Sequence, residues 1–168
     1  VMSGARQAVD LTSQMLIYAG KGAIEFESVD ISKVVDNMAS LINSIVPRKI
    51  RLVQQTSRDL PMLRGDAVQL GQVLMNLIAN SVDAMDANSG EITVATGLAE
   101  ADSNLLRSSF FAEELEPGAF IYLSVKDDGV GMDSMQLEKI FDPFYSEKGS
   151  SKGLGLSSIS GIVRQHKG

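Results

Sequence analysis

Apolar and polar residues alternate along this chain with two periods, one near 3.6 residues and one of two, which divide it into helices and strands. Over residues 5–19, Ala5, Ala8, Val9, Thr12, Met15, Leu16 and Ala19 keep helical spacing, and Gly20-Lys21-Gly22 ends the run. A second stripe, Ile31, Val34, Val35, Met38, Leu41, Ile42 and Ile45, starts after Asp30 and stops at Pro47. Asp30 suits an N-cap because its carboxylate can accept the free N–H groups of a first turn. Residues 50–56 alternate as a half-buried strand does, and Met62-Leu63-Arg64 is a short strand candidate. A long helix is expected from Asp66, its cap, to about Met85, followed by a strand at 91–96. Residues 97–117 read as an acidic, irregular insert with one helical turn, anchored by Leu105, Leu106, Phe110 and Phe111. In the strand at 119–126, Ile121, Leu123 and Val125 share one face. A polar, glycine-bearing stretch covers 145–152, and a last helix spans 153–166. This order predicts an α+β fold, a two-layer sandwich of a sheet and helices.

Three stretches carry candidate chemistry. From Ala67 to Val82 no residue is charged. At about 100° per residue, Gln69, Gln72, Asn76, Asn80 and Asp83 fall together, opposite the stripe of Leu70, Val73, Leu74, Leu77, Ile78 and Met85. Solvated faces usually carry lysine and glutamate, so a carboxamide face points to a polar ligand. Asn80 offers an amide oxygen of the hard type that Mg²⁺ prefers. Taken alone, this helix reads as an ordinary one with an uncharged polar side. Asp127-Asp128-Gly129-Val130-Gly131 follows the strand; its glycines permit close backbone approach, and Asp127 could accept from the exocyclic amine of adenine. Taken alone, that piece reads better as a plain Asp-Gly turn. Gly153-Leu154-Gly155-Leu156 opens the last helix, where free N–H groups and the helix dipole favour phosphate. A tight loop-to-helix junction is the alternative there. The three in this order point to nucleotide.

Composition narrows the field. Of the 168 residues, 44% are hydrophobic, enough for one domain with a core. Net charge is −6, so no global positive field attracts nucleic acid, and none is expected as a partner. The absence of cysteine removes disulfides, zinc–thiolate sites and thiol nucleophiles. No apolar run approaches the roughly 20 residues of a membrane span, so no membrane contact is expected. The chain opens at Val1 without a start methionine or signal peptide, and we expect a fragment.

With these residues in view, the chain resembles the catalytic ATP-binding domain of sensor histidine kinases, in the gyrase, heat-shock chaperone, histidine kinase and mismatch-repair ATPase superfamily. The resemblance runs from about Gln69 to Gly168. Residues Gln72 to Ser81 look like the N box, and Asp127 to Gly131 like the first glycine box. Phe141-Asp142-Pro143-Phe144-Tyr145 looks like the F box, and Gly153 to Leu156 like the second glycine box. The F box beside both glycine boxes is the specific feature. The resemblance implies a mixed sheet backed by helices, with ATP between helices under a mobile lid at 145–152. It implies that Asn80 coordinates Mg²⁺ and that Asn76 supports metal and phosphates. It implies that Asp127 reads adenine while Gly129 and Gly131 shape that pocket. Phe141 and Phe144 would anchor the lid, Lys148 would reach the phosphates, and Gly153, Leu154 and Gly155 would border them, with Asp83 also beside the nucleotide. Ser151 stands where the second glycine box often has another glycine.

Residues 1–22 are expected to be a remnant of the dimerisation and histidine-presenting hairpin, and 23–168 the catalytic domain without its terminal hairpin. The implied activity is transfer of the γ-phosphoryl of Mg-ATP to a histidine outside this chain. From there it would pass to a response regulator, in a full-length cytoplasmic or membrane-anchored homodimer. His166, the only histidine, sits at a helix end rather than in an acceptor-helix context. The alternative is an ATP-hydrolysing switch of the mismatch-repair or gyrase branch. That branch has a glutamate four residues before the magnesium asparagine; here that place is Asn76, which cannot serve as a base.

Overall fold

The computed structural model describes residues 25–85, 89–110, 115–142, 145 and 155–168. The helix expected over residues 5–19 lies outside them. Strand β1 (Glu27–Val29) leads into helix α1 (Ile31–Ile45), then β2 (Ile50–Thr56), β3 (Leu63–Gly65) and helix α2 (Ala67–Ala84). Strand β4 (Gly90–Ala101), helix α3 (Ser103–Arg107), β5 (Gly118–Asp127), helix α4 (Ser134–Lys139) and helix α5 (Gly155–Gln165) complete the order.

Both long helices start at the caps expected of them. The Asp30 carboxylate accepts the N–H groups of Ser32 and Lys33 at 3.0 and 3.2 Å. The Asp66 carboxylate accepts those of Val68 and Gln69 at 2.9 and 3.0 Å. Such a cap stabilises a helix by about 1 kcal/mol. Helix α1 ends at the extended Val46, because the residue before a proline disfavours helical backbone.

The main sheet runs β2-β4-β5, with β2 parallel to β4 and β4 antiparallel to β5. Strands β1 and β3 form a separate antiparallel pair. Helices lie on one face of the mixed sheet: Val35 and Ile42 of α1 and Leu74, Met75 and Ile78 of α2 meet Ile50, Ile92 and Val94 of the sheet in one buried cluster. Each such side chain contributes about 1.5–3 kcal/mol on burial. Where α1, β2 and β4 converge, the buried hydroxyls of Ser32 and Thr96 lie 2.7 Å apart. Ser32 donates to the Ser57 carbonyl, and Thr96 accepts the Ser57 N–H, so no hydroxyl there is stranded. A smaller cluster of Val73, Ile159 and Ile162 seats α5 on α2. Among the described residues no helix is long and apolar enough to cross a membrane.

Three features differ from expectation. Strand β4 continues through residues 97–101, which the irregular insert was expected to occupy. Its ladder with β5 runs to Ala101 opposite Gly118, so backbone pairing carries the strand past the point where side-chain alternation fades. The helical turn of the insert is α3, and it buries Leu106 but leaves Leu105 and Phe110 exposed. Strand β1 and helix α4 were not expected. The latter starts with a capping box, in which the Asp133 carboxylate accepts the Gln136 N–H and the Gln136 side chain accepts the Asp133 N–H.

Candidate nucleotide site

Helix α2 is the scaffold of the site. Its apolar stripe is fixed in the core, so its polar positions are fixed as well. Asn76 is buried, and its amide nitrogen donates to the Gly155 carbonyl at 3.2 Å and to the Ser158 hydroxyl at 3.1 Å. Asn76 therefore joins α2 to the first turn of α5. Helix α5 thus covers the α2 surface around Asn76. One turn further on, the Asn80 amide nitrogen is buried without a hydrogen-bond partner among the described residues. Its amide oxygen points towards Gly155, where an added Cβ would lie 3.9 Å from it.

Asp127 ends β5 opposite Ile92 and lies where the C-terminal half of α2 passes. One carboxylate oxygen accepts the Ser81 hydroxyl at 2.9 Å, and the other accepts the Gly129 N–H at 3.0 Å. The glycine turn is also bonded to the end of α2, because Val130 N–H donates to the Ala84 carbonyl at 3.2 Å. At Gly129 a side chain is impossible: its Cβ would fall 2.8 Å from both the Ala84 oxygen and the Asp127 carboxylate. Gly131 has φ +70°, which glycine adopts without strain. Asp128 faces elsewhere and accepts the Glu91 N–H at 2.9 Å. Of the two adjacent aspartates, Asp127 alone is directed to α2.

The remaining expected residues divide. Gly155 begins α5, beside Asn76 and Asn80. Phe141 packs edge-on against Phe110, with ring centroids 4.8 Å apart. Asp83 is exposed and lines a cleft of about 250 Å³ with Ile45, Met75, Ala79 and Val82, on the side of α2 that faces the end of α1. Phe144, Lys148, Gly153 and Leu154 lie outside the described residues, as does the stretch 145–152 apart from Tyr145. His166 is remote from catalysis in its contacts. Its Nε2 accepts the Asp66 N–H at 2.9 Å, its Nδ1 lies 2.8 Å from the Ile162 carbonyl oxygen, and its ring packs on Phe26. Ser81 closes the expected N box without an expected role of its own, and Ser158 lies outside the expected boxes. Their signal was only adjacency, Ser81 to Asn80 and Ser158 to the second glycine pair.

Comparison with known proteins gives the family and the fold. A family model described as histidine kinase-, DNA gyrase B-, and HSP90-like ATPase matches residues 65–168. Sensor kinase CckA of Brucella abortus (strain 2308) is 32% identical over 171 residues, covering 100% of this chain and 18% of that protein. The mycobacterial sensor histidine kinase MprB superposes with a TM-score of 0.64 at 22% identity, over 85% of this chain and 81% of that one. Full-length ShkA, solved in complex with AMPPNP, superposes with a TM-score of 0.62 at 24% identity, over 96% and 32%. At these identities the two superpositions establish the fold, that of histidine kinase catalytic domains. The chain spans less than half the length of the curated relatives it matches.

Proposed function

Because the chain belongs to the histidine kinase-, DNA gyrase B- and HSP90-like ATPase family, whose domain binds ATP, we propose that it is the catalytic module of a two-component sensor histidine kinase. The observation that carries this choice over a hydrolytic switch is Asn76. Water activation requires a proton acceptor at that place. An amide is no base at neutral pH, and this one donates to Gly155 and Ser158 of α5. Transfer to an imidazole asks instead for positioning and charge stabilisation. The bond from the γ-phosphorus to its bridging oxygen breaks, a bond to an imidazole nitrogen forms, ADP departs and the ring proton passes to solvent.

In this reading Asp127 receives the 6-amine of adenine, and Gly129 and Gly131 let the backbone approach the base. Asn80 holds Mg²⁺ through its amide oxygen, while Gly153, Leu154, Gly155 and Lys148 border the phosphates and Phe141 and Phe144 anchor the lid. The hard oxygen donor of Asn80 supports the metal role, and the nitrogen of the same amide, without a partner among the described residues, offers a donor that a phosphate oxygen can accept. Bound Mg²⁺ supplies charge neutralisation at the phosphates. Residues 1–22 belong to the dimerisation hairpin, and the acceptor histidine lies on that hairpin in the full-length homodimer. The phosphoryl group then passes to a response regulator receiver domain, in the cytoplasm.

Supplying an acceptor-histidine hairpin in trans, with radiolabelled ATP and Mg²⁺, tests the reading. The expected result is acid-labile, base-stable label on the hairpin, formed slowly because proximity is lost. Rapid phosphate release by the chain alone, abolished by Asn76→Ala, would instead establish the hydrolase.

A further inference from the structure

We propose that Ser81 is a positioning residue for base recognition, setting the orientation of the Asp127 carboxylate and with it the discrimination between 6-amino and 6-oxo purines. The proposal rests on the assignment of Asp127 as the base reader and deepens it. Ser81 is 5% exposed, and its hydroxyl donates to one Asp127 oxygen while the Gly129 N–H donates to the other. A carboxylate on a single bond to its strand rotates freely about its side-chain torsions. Two donors from different elements, one on α2 and one in the glycine turn, fix both its position and its plane. Each oxygen retains an unused lone pair, because a carboxylate can accept about four hydrogen bonds. A fixed acceptor of this kind favours a purine that offers N–H at position 6 and repels one that offers a carbonyl oxygen. Rejection of the wrong group is sharp only when the reader cannot turn away.

The position of Ser81 adds a second consequence. It directly follows Asn80 on the same helix, and neighbouring residues on a helix point about 100° apart. Asn80 faces the start of α5 and Ser81 faces the end of β5. One rigid turn thus fixes the phosphate side of the site relative to its base side.

Equilibrium binding of ATP and of inosine triphosphate, which differ at the purine 6-position, tests this with four proteins: the wild type, Ser81→Ala, Asp127→Ala and the double variant. Melting of each without nucleotide confirms folding. Ser81→Ala should weaken ATP roughly two- to tenfold, the range of one hydrogen bond, and narrow the preference for ATP over inosine triphosphate. In the Asp127→Ala background the same change should add nothing further, because Ser81 acts through that carboxylate. Ser81→Thr, which keeps the hydroxyl, should restore the preference. If Ser81→Ala lowers only the melting temperature and leaves both affinities alone, Ser81 is structural and the proposal is overturned. An equal loss for both nucleotides that persists in the Asp127→Ala background overturns it as well. If Asp127→Ala itself leaves ATP binding unchanged in a folded protein, base reading by Asp127 fails, and this proposal fails with it.

Discussion

The stretch of α2 around Asn76 and the stretch around Asn80 lie one turn apart and use the same side chain in opposite ways. Asn76 gives its amide hydrogens to the carbonyl of Gly155 and the hydroxyl of Ser158, and becomes part of the joint between two helices. Asn80 keeps a buried amide nitrogen with no partner among the described residues. A buried polar group without a bond costs about 1–3 kcal/mol, so a fold keeps one only where something repays it. The difference separates a side chain that builds the site from one that faces the ligand. Residue type alone does not make that distinction.

Substitutions break the comparison at its strongest points first. Asp127→Ala should weaken ATP binding most, by roughly 1.5–3 kcal/mol or about ten- to a hundredfold, because it removes a charged acceptor. Calorimetric titration reads this, and unchanged affinity would place base recognition elsewhere. Asn76→Ala should cost about 1–3 kcal/mol of stability without nucleotide, since it removes two half-buried hydrogen bonds between α2 and α5. Denaturant unfolding measures it; a loss below about 0.5 kcal/mol would show the α2–α5 joint to be held by Val73, Ile159 and Ile162 alone. His166→Ala should cost about 1 kcal/mol by leaving the Asp66 N–H unmatched at the other end of the same joint, and the same unfolding series tests it. Asn80→Ala should lower stability least, and should raise it by up to about 1 kcal/mol, because it removes a buried nitrogen that has no partner among the described residues. The same variant should abolish the magnesium-dependent part of ATP binding, compared by titration with and without the metal. A large stability loss there would mean that Asn80 is a building residue like Asn76.

Much of this arrangement was legible in the sequence, because it rests on local rules. Asp30 and Asp66 cap the helices expected of them, and the strand over 50–56 has the expected limits. The alternation of Ile121, Leu123 and Val125 marks the inner side of β5. What was missed depends on distant partners. The three residues of β1 form a strand only because Val29 meets Leu63 and Glu27 meets Gly65. The extension of β4 depends on β5 in the same way. The capping box of Asp133 and Gln136 was a readable local signal for α4, in a helix too short to show an apolar period. Within the site, Asn80 and Asp127 stood out by residue type and order. The burial of Asn76 under α5 and the bond from Ser81 to Asp127 follow from tertiary packing, which brings together residues 79 and 46 positions apart.

The contacts of His166 have a consequence for its nucleophilicity. An imidazole attacks phosphorus through a ring-nitrogen lone pair, and a neutral ring has only one. The Asp66 backbone N–H must donate, so Nε2 is the accepting nitrogen of His166, and the proton resides on Nδ1, directed at the Ile162 carbonyl. The single lone pair of the only histidine in the chain is therefore already engaged by its own backbone. Within this fold, an electrophilic phosphoryl group finds no free imidazole nitrogen until the end of α5 separates from the start of α2.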